Sequence, residues 1–167
     1  MPMQLIEGVV SIKVPANWTE HQYPFSSCLD IGEGYFGRVK DRQLDFVFIE
    51  GLNISMRRKP HKSISDIYAV EREVLKAKNR NLKIVSIIIN KQANSLTIDY
   101  IGHFYDDKPP FFFQYKLIIN EDEWVTFYFR GVNTPALRNT VDQVGQTIIV
   151  NSIPAMKRRK PCREVQI

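Results

Sequence analysis

Three histidines are the side chains best suited to acid–base chemistry near neutral pH. His21, His61 and His103 do not show the H-x-x-x-H spacing of a metal site. His103 lies four residues from Asp99 on the polar side of a predicted strand, so the two can share a surface. A solvated pair of this kind is more common than a base and its orienting group, and we therefore assign no catalytic residue. A small enzyme using His103, with Asp99 or Tyr100 in a sheet pocket, stays open as an alternative.

A glycine-rich segment, Ile31-Gly32-Glu33-Gly34-Tyr35-Phe36-Gly37-Arg38-Val39, matches the loop that covers ATP phosphates in protein kinases. Phosphoryl transfer also needs a strand lysine, a catalytic aspartate and a metal-binding aspartate before Phe-Gly. The next apolar segment, Leu44 to Ile49, has no lysine, and Asp45-Phe46-Val47 lacks the glycine. The motif therefore predicts a glycine-rich hairpin or loop and no nucleotide site.

The cysteines and acidic residues do not form a metal or disulfide pattern. Cys28 and Cys162 are far apart, and neither belongs to a C-x-x-C motif. The acidic run Glu121 to Glu123 falls in a predicted exposed turn. We expect no metal and no cofactor. The same turn, with Asp106 and Asp107, would supply a charged interface if the chain were an immunity protein that neutralises a toxin.

The charge of the chain is concentrated at its C-terminus. The 167 residues carry a formal net charge of +5, yet residues 1–156 hold 18 basic and 17 acidic side chains. A near-neutral body argues against a nucleic-acid-binding domain, which carries positive charge on its folded surface. We expect one domain over residues 1–154 and a flexible basic tail, containing Lys157-Arg158-Arg159-Lys160, over 155–167. Apolar runs such as Ile87 to Ile89 are too short to span a membrane, and residues 1–10 do not resemble a signal peptide, so a cytoplasmic protein is expected.

Alternating apolar and polar residues predict a body rich in strands. The predicted strands are Val9–Val14, Leu44–Ile49 with an extension through Ile54, Lys83–Ile89, Leu96–Phe104, Phe111–Ile119 and Trp124–Arg130. Short polar turns join the last three into an antiparallel meander.

Two helices are predicted to pack on this sheet. The first spans about residues 65–79, with Ser65 as N-cap and an apolar stripe of Ile67, Val70 and Val74. The second follows the cap Thr134 and Pro135, with a stripe of Leu137, Val141, Val144 and Ile148. The expected fold class is α+β, an antiparallel sheet with a strand meander and two main helices in an α/β/α sandwich.

The meander has apolar and aromatic side chains for both faces of the sheet. Phe111, Phe113, Tyr115, Leu117 and Ile119 define one face. The other includes Phe112 and Ile118, together with either Trp124 and Tyr128 or Val125, Phe127 and Phe129. An uncovered apolar face is typical of a binding site. A loop over residues 21–43, a protein partner or a second copy of the chain would each cover it.

The N-terminal segment Leu5-x-Glu7, followed by Ile12-x-Val14-Pro15-x-x-Trp18-x-Glu20, resembles the start of the DcrB-like proteins. The similarity continues through the first helix, Tyr100, Gln114-Tyr115 and Thr134-Pro135, over about residues 5–153. It implies a PsbP-like fold, an antiparallel sheet between helices, and a non-enzymatic protein. One DcrB-like branch, the Eag chaperones of bacterial type VI secretion, holds apolar N-terminal helices of secreted effectors on the sheet.

The resemblance therefore predicts a cytoplasmic chaperone or adaptor that shields an apolar helix of a secreted effector. The expected partner-binding residues are Phe112, Gln114, Ile118, Trp124 and Tyr128, with Gln114 bonding polar groups of the helix. The sequence between Trp18 and Phe46 departs from the family's pattern, so no groove residue is assigned there.

Overall fold

Antiparallel strands make up most of the described chain. This computed structural model describes residues 1–21, 32–42, 45–58, 63, 65–66, 69–70, 72–73, 82–92, 95–104, 111–120 and 123–151. The strands are β1 (Met3–Ile6), β2 (Val10–Lys13), β3 (Thr19–Glu20), β4 (Gly32–Arg42), β5 (Asp45–Arg58), β6 (Leu82–Gln92), β7 (Ser95–Phe104), β8 (Phe111–Ile119), β9 (Glu123–Val132) and β10 (Ile149–Val150). Within these ranges one helix has defined bounds, α1 (Pro135–Gln146).

The strands form two sheets. The larger has seven strands in the order β3-β4-β5-β9-β8-β7-β6, and the smaller has three in the order β1-β2-β10. Strands β6, β7, β8 and β9 are consecutive in the chain, and each pairs with the next in antiparallel orientation. The predicted meander is therefore confirmed, and it includes β6 as a fourth strand.

One face of the large sheet, here called the inner face, carries the core that α1 and the small sheet cover. Phe129 lies opposite Leu52 and Phe127 opposite Ile54, and directly opposed residues share a face. These side chains pack in one buried cluster with three groups of residues: Val9, Val10, Ile12 and Val14 around β2; Trp18; and Leu137, Val141 and Val144 of α1. The opposite side is called the outer face.

Helix α1 forms as its sequence predicts. The Thr134 hydroxyl accepts a hydrogen bond of 3.1 Å from the backbone N–H of Leu137, and Pro135 occupies the first turn. Leu137, Val141 and Val144 are buried on the side that faces the sheet. Ile148, beyond the helix, is half-buried against the same core.

The prediction of an α/β/α sandwich with two main helices is wrong. The described chain is mostly strand, and the described residues between 65 and 73 that are helical all lie exposed, with Val70 46% exposed. Ile67 and Val74, from the same predicted stripe, lie outside the described residues. A 3.6-residue period indicates an amphipathic helix but not what it packs on. The inner face instead receives α1 and a second sheet, of which the sequence predicts only β2.

The glycine-rich motif lies in β4, which forms a long hairpin with β5. Residues 32–42 are therefore strand, and not part of the loop predicted over 21–43; residues 22–31 and 43 lie outside the described chain. A Cβ atom at Gly34 would lie 3.2 Å from Cγ2 of Ile6. The missing side chain thus lets β1 approach β4 closely, which gives this glycine a packing role.

Candidate functional site

The five predicted partner-binding residues lie on two different faces of the large sheet. Phe112, Gln114 and Ile118 are opposite Gly131, Phe129 and Val125, which places all three on the inner face. Trp124 is opposite Ile119 and Tyr128 is opposite Tyr115, which places both on the outer face. One bound helix therefore cannot contact the whole predicted set.

The centre of the outer face is itself part of the core. Phe113, Leu117 and Ile119 are fully buried there, although they point away from α1. The Tyr128 ring lies 6.1 Å from that of Phe113, between ring centroids. Burial raises the pKa of the Tyr128 phenol, and the nearby Arg130 guanidinium opposes that shift. The aromatic residues at this centre contribute to stability.

Trp124 lies on the outer face at the end of β9. The guanidinium carbon of Arg57, on the neighbouring strand β5, is 5.2 Å from the centre of the Trp124 ring. This distance is within the range of a cation–π interaction. The tryptophan is therefore held by its own chain, and its indole ring is half-buried.

The inner face has an open end beyond α1, on strands β6, β7 and β8. We define the open end by its described side chains, which are Ser86, Ile88, Asn90, Ile101, Gln114, Lys116 and Ile118. Ile101 and Ile118 are half-buried against the core, whereas Ile88 is 57% exposed. Gln114 lies opposite Ile101, which in turn lies opposite Ser86, so polar positions alternate with the apolar ones.

Strand β6 forms the last strand of the large sheet at this end, and its apolar side chains are unusually exposed. Val85 is 62% exposed, Ile87 42% and Ile89 52%. Ile87 and Ile89 lie on the outer face, since they are opposite Tyr100 and Ile98. The partner-binding prediction did not include these residues. The run of three isoleucines was a signal, but a continuous apolar run is more often a buried strand than an exposed one.

The opposite end of the molecule holds a cleft of about 330 Å³ beside the start of α1, lined in part by Trp18, Arg38, Glu50 and Thr134. The Arg38 guanidinium forms an ion pair with Glu50, with Nη2 2.6 Å from Oε1. The indole N–H of Trp18 donates a hydrogen bond of 3.3 Å to the other carboxylate oxygen. These polar groups bond one another and join β2–β3, β4 and β5, so their role is structural.

Most of the residues considered for catalysis, for metal binding or for a toxin interface lie outside the described part of the chain. This applies to Cys28, His61, Cys162, Asp106, Asp107, Glu121 and Asp122, to the tail over 155–167, and to the side chains of His103 and Asp99. Glu123, from the acidic turn, is 3% exposed and thus is not available to a toxin. Among the described side chains, no group of three or more His, Cys, Asp or Glu is placed to hold a metal ion. None of the described helical segments has the length and hydropathy needed to cross a bilayer.

Comparison with solved structures shows the fold. No protein-family model and no curated protein sequence matches this chain. The cyanobacterial PsbP protein of Synechocystis sp. PCC 6803 is similar over 85% of this chain and 86% of its own, with 13% identity and a TM-score of 0.62. The Ran-binding protein Mog1p of Saccharomyces cerevisiae is similar over 90% and 96%, with 14% identity and a TM-score of 0.57.

A third similar structure is LpqN of Mycobacterium tuberculosis, described as involved in cell envelope biogenesis. It covers 86% of this chain and 83% of its own, with 9% identity and a TM-score of 0.53. At these identities the likeness concerns the fold alone. The PsbP-like fold implied by the sequence resemblance is confirmed at that level, and the narrower relation to the DcrB-like and Eag proteins stays a prediction.

Proposed function

We propose that this protein is a non-enzymatic chaperone or adaptor that holds an apolar helix of a protein partner on the open end of the inner face. The observation that carries the proposal is the exposure of Ile88 on the same face as the half-buried Ile101 and Ile118. These three side chains lie on one face of β6, β7 and β8, where the described elements leave them half-buried or exposed. The Lys116 and Asp99 positions of the same face lie between them. Apolar side chains left open on a sheet face and rimmed by polar residues are typical of an interaction site.

A helix is the expected occupant because the same face already binds one. Helix α1 lays Leu137, Val141 and Val144 on the inner face over β9, and that packing is fully buried. A second amphipathic helix beside α1 would extend the same layer over the open end. Its apolar side chains would contact Ile88, Ile101 and Ile118, with the buried Phe112 at the margin of the surface.

Polar positions within the open end suit a helix that is not purely apolar. Gln114 and Ser86 flank Ile101 in neighbouring strands, and both are half-buried. Side-chain amide and hydroxyl groups in such positions can bond small polar residues on a bound helix. We propose this role for Gln114. Trp124 and Tyr128 lie on the other face and do not belong to this surface.

The proposed partner is a secreted effector, of the type VI class if the relation to the Eag chaperones holds. Such a partner carries apolar helices that must be kept from water before they reach a membrane. The Ran-binding activity in the description of Mog1p supports protein binding as a use of this fold. The choice of a secreted partner rests on the sequence resemblance.

The test compares two neighbouring isoleucines that lie on opposite faces of β6. The probe is a labelled helical peptide of about 20 residues, made of leucine, alanine and glycine with lysines at its ends. We expect the peptide to bind the wild-type protein, Ile88→Lys to weaken binding by at least about tenfold, and Ile89→Lys to leave it unchanged, because only Ile88 lies on the inner face. Both residues are exposed, so both variants should fold. Equal effects of the two substitutions, or no binding by the wild type, would contradict the proposal.

A further inference from the structure

The edge of β6 that faces away from β7 is a feature that the proposed function does not use. No described strand pairs with this edge, since β6 is the terminal strand of the large sheet. An edge strand presents a row of backbone N–H and C=O groups that are ready to pair with another extended chain. Its exposed side chains alternate between faces, with Ile88 on the inner face and Ile87 and Ile89 on the outer face.

The protection that edge strands normally carry is confined to the two ends of β6. Lysines and bulges are common devices that prevent edge-to-edge pairing. Lys83 and a register shift between Ile84 and Ser86 lie at the start of β6, and Lys91 lies near its end. The central residues 86–90 have neither device. Their length, about five residues, is that of a typical strand.

We propose that this central edge of β6 binds an extended, apolar segment of a protein partner, which adds to the sheet as an eighth strand and carries carboxylate side chains at its ends. Main-chain groups at the edge select an extended backbone and not a helix. Because β6 contains two lysines and no acidic residue, carboxylates on the added strand would complement its charge.

Charge also disfavours a second copy of the chain as the occupant. An antiparallel pairing of β6 with itself would bring four lysines and no acidic residue into one strand pair, and in the register centred on Ile87 it would set Lys83 of each copy opposite Lys91 of the other. Like charges directly opposite each other destabilise a strand pair. An acidic partner segment avoids this repulsion.

The test uses a labelled peptide of about nine residues, with aspartate at both ends and alternating valine and threonine between them. Its binding is measured by fluorescence anisotropy, together with a version methylated on every backbone nitrogen. The methylated version keeps the side chains but cannot donate a backbone hydrogen bond to β6 from either of its edges, so it should lose binding. A version with lysine ends should bind at least about tenfold more weakly.

Variants separate this site from the helix-binding surface. Ile89→Lys should weaken the strand peptide while leaving the helical peptide unaffected, because the added strand contacts both faces of β6. Loss of helix binding in Ile88→Lys does not decide whether the strand peptide binds the wild type. Each proposal can therefore fail while the other holds. Equal binding of the methylated and unmethylated peptides would overturn the edge site. The edge site would also be overturned if the wild-type protein sediments as a dimer and does not bind the peptide, while Ile89→Lys is a monomer.

Discussion

The two ends of the large sheet differ in how far the apolar side chains of their inner face are covered. On β4, β5 and β9 the apolar inner side chains, among them Phe36, Leu52 and Phe127, are at most 2% exposed under α1 and the small sheet. We call this region the closed end. At the open end, the inner-face side chains Ile88, Ile101 and Ile118 remain half-buried or exposed. The closed end uses its apolar surface to fold, whereas the proposed function assigns that of the open end to a partner.

The difference also appears in how closely the backbones approach. At the closed end, a Cβ atom on Gly131 would lie 2.5 Å from Cδ2 of Leu137 and 2.9 Å from Cβ of Glu50. A glycine is required there for α1 to sit on β9. Beside it, Glu50 is held by both Trp18 and Arg38. Stability should therefore be concentrated at the closed end, and substitutions at the two ends should have very different costs.

The largest expected effect comes from truncating a buried aromatic side chain at the closed end. Phe127→Ala should lower the free energy of unfolding by about 3–5 kcal/mol, through lost burial and the cavity that remains. Ile89→Ala, at the open end, should change it by no more than about 0.5 kcal/mol because that side chain is already half in water. Urea unfolding followed by circular dichroism measures both. Similar losses for the two variants would remove the distinction between the ends.

A smaller effect is expected from adding one methyl group at a glycine. Gly131→Ala should cost about 1–3 kcal/mol because Glu50 Cβ and the helix side chain Leu137 occupy the space. Gly145→Ala is the matched control, since it lies within α1 and has no neighbouring heavy atom within 4 Å of the new Cβ. That substitution should stabilise the protein by up to about 1 kcal/mol. Thermal melts of the two variants should therefore shift in opposite directions. A Gly131→Ala protein as stable as the wild type would mean that α1 does not pack closely on β9.

The sequence predicts the strands of the meander and α1 because their signals are local. The period-2 alternation from Trp124 to Arg130 reappears as alternating buried and half-buried residues in β9. Thr134 and Pro135 define the start of α1 through their own chemistry. In both cases the side chains that specify the element lie inside it or directly beside it.

What the sequence could not provide is the pairing of distant segments. The small sheet joins Ile149 to Ser11 and Val150 to Val10, and although the alternation over Val9–Val14 predicts β2, no local pattern predicts which strands pair with it. The assignment of Phe112 and Trp124 to different faces depends on the register between β8 and β9, which a one-residue slip would reverse. The open end could not be predicted for the same reason, since exposure of Ile88 depends on which strand lies last in the sheet.

The smallest expected effect tests whether water is also excluded from the outer face at β9. Burial raises the pKa of the Tyr128 phenol in the folded protein above its ordinary value, so the unfolded chain loses this proton first as the pH rises. The contribution of Tyr128 to stability is therefore present below the unfolded pKa, about 10, and is lost as the pH rises through the folded pKa. Urea unfolding between about pH 8 and 11 should show a steeper alkaline loss of stability for the wild type than for Tyr128→Phe. An identical dependence of stability on pH in the two proteins would mean that water reaches the Tyr128 hydroxyl. The closed end would then exclude water only on its inner face.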